Sequence, residues 1–155
     1  MTETQDRTGR TPDLSAMDGF EQLSAIFDGT LPPAPIAETI GMVDFTGERG
    51  SITVGLDPER RHYNPIGTVH GGVISTLLDT AAACSVHSTL AAGESYTSLD
   101  LTVKFLRPVT VESGRLRCVG SVLQRGRRTA LAQAELFDAE GRLVAYATSS
   151  CMILT

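Results

Sequence analysis

Asp79 is the only formally charged side chain, histidines set aside, between Arg61 and Glu94, and it sits inside the most apolar run of the chain, HGGVISTLLDTAAACSVHSTL over 70–90. A helix that is apolar nearly all round is a buried helix, and a carboxylate there is costly to desolvate unless it has partners or a task. Burial pushes a carboxyl pKa upward, which makes the ionised form a better base. The same helix opens with His70-Gly71-Gly72, so its first N–H groups lack side-chain cover and carry the positive end of the helix dipole. Such a terminus suits an anion or a developing oxyanion. Asn64, three residues ahead of Gly67 in the preceding loop, can present an amide to the same space.

Geometry limits how these groups meet. Gly71 and Asp79 are eight residues apart, about 12 Å along a helix axis and roughly 80° apart in direction. One helix does not easily bring both to one reacting carbon. Two copies running antiparallel across a two-fold axis do, and they generate two equivalent sites. Ser75, Thr76, Ala82 and Ala83 flank Asp79 and are small enough for close approach, while Ile74, Leu77, Leu78 and Ala81 point to the other side. The expectation is a homodimer with shared sites.

The elements that position these groups follow from the periodicity. Residues 1–17 read as a flexible arm, and 18–155 as a single domain with its core at about 36–153. Asp18 caps a short helix carrying Phe20, Leu23, Ile26 and Phe27, stopped at Gly29. The PPAP segment at 32–35 predicts an extended connection. Strands follow at 40–45 and 51–56, then the loop 57–69 and the long helix at about 71–91. Beyond it the period becomes two. Leu99, Leu101, Val103 and Phe105 form the buried face of one strand, and further strands lie at about 114–124, 129–137 and 142–153. One buried helix with strands on both sides in sequence requires a sheet that curls around it, an α+β arrangement, mostly antiparallel.

Composition narrows the function classes. A net charge of −5 disfavours nucleic acid as a partner. No stretch reads as a membrane span or a signal peptide. Cys84, Cys118 and Cys151 are widely spaced and lack metal-ligand spacing, which predicts free thiols in a reducing, cytoplasmic setting and no metal.

The string Tyr63-Asn64-Pro65-Ile66-Gly67-Thr68-Val69-His70-Gly71-Gly72, followed by Asp79, resembles the signature of hotdog-fold acyl-CoA thioesterases of the phenylacetate-pathway type. The likeness extends to Phe105-Leu106-Arg107-Pro108 and the Gly126-Arg127-Arg128 hairpin. It implies a curved sheet of five to six strands around one central helix, dimerisation through that helix, and dimers paired into a homotetramer. By the same resemblance Asp79 is the catalytic carboxylate, attacking the thioester or activating water, and the Gly71 N–H polarises the carbonyl. Asn64 positions the water or the carboxylate, His70 contacts the thioester region, and Ser98 supports the carboxylate. Arg107, Arg125, Arg127 and Arg128, on loops or strand ends, are candidates for the phosphates of coenzyme A, which enters as part of the substrate rather than as a cofactor. The expected acyl group is small or aromatic. Two other readings are open: a non-catalytic acyl-CoA-binding module, and an enoyl-thioester hydratase. The hydratase reading is weakened because Cys84, not histidine, stands five residues after Asp79.

Overall fold

The computed structural model describes residues 13–155. The flexible-arm expectation therefore lies, for residues 1–12, outside the described residues; Leu14–Ala16 form a single 3-10 turn. Helix α1 (Gly19–Phe27) starts as its sequence dictates. The Asp18 carboxylate accepts from the Glu21 N–H at 2.9 Å, and Glu21 accepts in return from the Asp18 N–H at 2.7 Å. This reciprocal cap is worth about 1 kcal/mol. The PPAP segment departs from expectation, because Pro35 opens a second short helix, α2 (Pro35–Ile40). Proline is at home in a first helical turn, where its missing N–H has no partner to lose.

Among the described residues the sheet has seven strands rather than five or six. They are β1 (Met42–Glu48), β2 (Ser51–Leu56), β3 (Ser95–Ser98), β4 (Thr102–Phe105), β5 (Leu116–Arg125), β6 (Thr129–Phe137) and β7 (Leu143–Leu154). The order is β1-β2-β5-β6-β7-β3, with β4 also on β7, and every pairing is antiparallel. The extra strand arises where a single one was expected across 99–105. The Asp100 carboxylate accepts from the Ser150 N–H at 2.8 Å and its carbonyl from Ser149 Oγ at 2.9 Å, which interrupts the ladder between β3 and β4. The predicted buried face fails at its ends, since Leu99 and Phe105 are each 55% exposed.

Helix α3 (Gly71–His87) lies against β2, β5, β6 and β7, with Ser88 as its C-cap, so it ends four residues short of the expected 91. Ile74, Leu77, Leu78 and Ala81 are buried against the sheet as expected. Ala82 and Ala83, expected on the Asp79 side for close approach, are buried as well. Contact between helix and sheet is closest at Gly120 of β5, where a Cβ would stand 2.0 Å from the Ala81 carbonyl oxygen. Nearby, Ser85 Oγ donates to that same carbonyl at 2.7 Å and accepts from the Ile52 N–H at 3.0 Å. The helix is thereby fixed to the sheet one turn beyond Asp79. Among the described residues no helix is long and apolar enough to cross a membrane.

Candidate active site

The start of α3 is built by one capping interaction. His70 Nδ1 accepts from the Gly72 N–H at 2.8 Å, so the proton of the neutral ring resides on Nε2. The His70 carbonyl accepts from Val73 and Ile74, at 2.9 and 3.3 Å. The Gly71 N–H, between them, has no acceptor among the described residues. It opens on a cleft of about 320 Å³ whose walls include Asn64, Phe105, Leu106, Arg107 and Pro108. A Cβ at Gly71 would stand 3.1 Å from the Phe105 ring, so glycine here lets that ring lie across the helix tip. Phe105 was not expected at the site. The Phe-Leu-Arg-Pro motif was visible in the sequence, but alternation assigned the ring to the core.

Asn64 holds the loop that forms the opposite wall. Its Oδ1 accepts from the Ile66 and Thr68 N–H groups, both at 3.1 Å, and Nδ2 donates to Thr68 Oγ1 at 2.9 Å. One amide N–H of Asn64 remains for a ligand.

Asp79 sits elsewhere, half-buried in the middle of α3 and not part of that cleft. Burial pushes its carboxyl above the ordinary value, and the neighbouring Ser98 hydroxyl, at the end of β3, offsets part of the rise. Ser98 Oγ also lies 4.0 Å from Cys151 Sγ. No salt bridge to Asp79 is present among the described residues. Ser75 and Thr76, on the preceding turn, turn their hydroxyls back to the Gly71 and Gly72 carbonyls, at 2.7 and 2.8 Å. Within one protomer the carboxylate and the open helix tip are thus separate.

The arginines divide into three. Arg107 lines the Gly71 cleft and is exposed. Arg127 and Arg128 line a different groove, of about 560 Å³, beside the end of β7. Arg125, the remaining candidate for the coenzyme A phosphates, is engaged within the chain. Its guanidinium pairs with Glu94 at 2.7 Å and also donates to Thr89 Oγ1 and the Gly126 carbonyl, tying the loop after α3 to the β5–β6 turn.

Comparison with known proteins agrees with this architecture. The family model for the thioesterase superfamily matches residues 66–145. The phenylacetic acid degradation-related protein of Ralstonia eutropha JMP134 superposes with a TM-score of 0.76 at 34% identity, covering 84% of this chain and 98% of that one. The chain belongs to the thioesterase superfamily and has its hotdog fold. Among curated relatives, the medium/long-chain acyl-CoA thioesterase YigI of Escherichia coli K12 is 35% identical over 98 residues, covering 55% of this chain and 62% of that protein. Human acyl-coenzyme A thioesterase 13 is 28% identical over 97 residues, covering 62% and 68%. The chain thus spans somewhat under two thirds of the length of the first of these.

Proposed function

We propose that this protein is an acyl-CoA thioesterase, hydrolysing a small or aromatic acyl-CoA to the free acid and coenzyme A in a site shared by two protomers. The single observation that carries this reading is the unmatched pair of groups on α3: a donor without an acceptor at Gly71 and a carboxylate without a cation at Asp79. Each is half of an acyl-transfer site, and they lie about 12 Å apart along one helix. A second α3, antiparallel across a two-fold axis, sets the tip of one beside the middle of the other.

In the reaction the thioester carbonyl oxygen accepts from the Gly71 N–H, where the helix dipole favours the developing negative charge. Water attacks the carbonyl carbon while Asp79 takes its proton, the C–S bond breaks, and the proton passes to the leaving sulfur. Direct attack by Asp79 gives an anhydride that water then cleaves, with the same net result. Asn64 uses its remaining N–H to orient the water or the carboxylate, and Ser98 orients Asp79. His70 acts through its cap, which takes the Gly72 donor and leaves that of Gly71 for substrate. Arg107, beside the helix tip, meets the coenzyme A phosphates, with Arg127 and Arg128 as further candidates contributed from a neighbouring subunit. Two such dimers form the working tetramer, in the cytoplasm.

The hydratase alternative needs a proton-transfer partner five residues after Asp79. Burial pushes the Cys84 thiol there up to about 12, and a thiol held protonated is a poor base. The binding-module alternative is separated by assay. Thiol release from a panel of acyl-, aryl- and hydroxyarylacetyl-CoA esters is expected, with Asp79→Asn abolishing it while the fold is retained. Near wild-type turnover by Asp79→Asn refutes the assignment, and tight binding without release favours the binding module.

A further inference from the structure

Phe105 is the last residue of β4, paired with Ala145 of β7, and the chain bends directly after it. The Leu106 and Arg107 N–H groups both donate to the Val144 carbonyl, at 2.8 and 3.1 Å. Two successive donors on one acceptor bend a strand as a β-bulge does. The bend turns Leu106, Arg107 and Pro108 round the rim of the Gly71 cleft. The Val69 N–H donates to the Val109 carbonyl at 2.8 Å, which ties this rim to the loop that carries Asn64.

The Phe105 ring is more than half exposed, so apolar burial gives a weak account of its presence here. What the ring does meet is Gly71. Its Cζ and Cε1 atoms would lie 3.1 and 3.3 Å from a Cβ at that position. In an α-helix every Cα–Cβ direction tilts toward the N-terminus. The ring therefore stands ahead of the helix tip, on the side to which the first N–H groups point. Water would otherwise approach the Gly71 N–H from that side, and this donor has no acceptor among the described residues. The Gly72 donor needs no such cover, since His70 Nδ1 accepts from it at 2.8 Å.

We infer that Phe105 is a positioning residue for the thioester carbonyl: its ring shields the Gly71 N–H from bulk water and keeps that donor free for the substrate oxygen. This rests on the thioesterase reading above and adds to it the group that keeps the donor dry. A hydrogen bond to a developing oxyanion weakens as the local dielectric rises, and a bound water must leave before the carbonyl can approach. The shielding acts on charge that develops in the transition state, so its loss falls on kcat. It acts on the carbonyl rather than the acyl group, so all esters feel it alike.

The test is thiol release from hexanoyl- and phenylacetyl-CoA by Phe105→Ala, Phe105→Leu and Phe105→Gln. Phe105→Ala lowers kcat about ten- to hundredfold for both esters, short of the hundred- to thousandfold that removing an oxyanion donor costs. KM stays within about twofold of the natural value. Phe105→Leu recovers most of kcat, whereas Phe105→Gln, similar in size but polar, does as badly as alanine. The Leu–Gln pair carries the comparison if Phe105→Ala does not fold. A loss confined to one ester, a raised KM at unchanged kcat, or leucine no better than glutamine overturns the shield. Amide exchange at Gly71, followed by NMR, is a second readout that needs no turnover. This N–H has no acceptor to lose, so its exchange reports the access of water rather than opening of the helix. Exchange quickens in Phe105→Ala and Phe105→Gln and returns toward the natural rate in Phe105→Leu; an unchanged rate in the first two overturns the proposal. If the natural sequence cleaves no ester, the thioesterase reading fails, and the exchange rates alone decide whether the ring shields the donor.

Discussion

Gly120→Ala tests whether the seat of α3, rather than its surface, holds the geometry proposed for catalysis. The added Cβ would stand 2.0 Å from the Ala81 carbonyl oxygen, 2.4 Å from its carbon and 2.5 Å from Ser85 Oγ. Real Cβ contacts essentially never fall below 3.0 Å and ordinary ones begin at 3.4 Å, so helix and sheet must part by at least about 1 Å. Two of the three obstacles are backbone atoms, which no rotamer change can clear. Overpacking of this kind costs about 1–3 kcal/mol, and here the upper end applies. The gain from replacing a strand glycine is below about 1 kcal/mol and does not reverse the sign. For a domain of this size the expected loss in Tm is about 6–12 °C. Because Ala81 is two residues from Asp79, the same shift moves the carboxylate, and a displacement near 1 Å costs about a hundredfold in kcat. Thermal and urea unfolding measure the first effect, and thiol release well below the lowered Tm measures the second. A Gly120→Ala protein that melts within about 2 °C of the natural one and turns over normally refutes the idea that this contact sets the helix position.

Other expectations follow from the site. The folded-state pKa of Asp79 is raised, so its protonated form is favoured by folding and that contribution to stability is lost as pH rises through the folded pKa. Asp79→Asn should therefore melt at or above the natural protein at pH 7, with the gap closing below the ordinary carboxylate range; a lower Tm at pH 7 contradicts the absence of a charged partner. His70→Ala removes a helix cap and should cost about 1 kcal/mol, or about 2–4 °C in Tm, whereas His70→Asn, which can still accept from the Gly72 N–H, should recover most of it in the same melt. Arg107→Ala should raise KM for coenzyme A esters with little change in Tm. Arg125→Ala should lower stability by about 1–2 kcal/mol, between the values for exposed and buried pairs, and leave KM nearly unchanged. If titration of the two variants gives the reverse pattern, the division among the arginines is wrong.

How far the sequence alone carried the site depended on whether a feature was local. Capping chemistry is local, so the Asp18–Glu21 start of α1 and the His70-Gly71-Gly72 start of α3 were legible from residue types. The long apolar helix was equally plain, because a lone carboxylate in such a run has few explanations. What escaped was decided by partners far away in sequence. The break at Asp100 depends on Ser149 and Ser150, nearly fifty residues on, and without it the alternation of Leu99 to Phe105 reads as one strand with one buried face. Phe105 across Gly71, Tyr96 against His87 and Gly120 beneath Ala81 are all cross-element contacts with no periodic signature. Arg125 looked like a free cation because Glu94, its partner, stands thirty-one residues away.

The docking of α1 has a practical corollary. The Gly19 N–H donates to the Leu90 carbonyl at 2.9 Å, and Arg49 clasps Asp18 at 2.7 Å while stacking over Phe20. A shortened version beginning at residue 36, where the expected core begins, would strip the far end of α3 of its neighbour and bare His87. Any shortened form meant to keep that contact has to retain α1 together with its Asp18 cap.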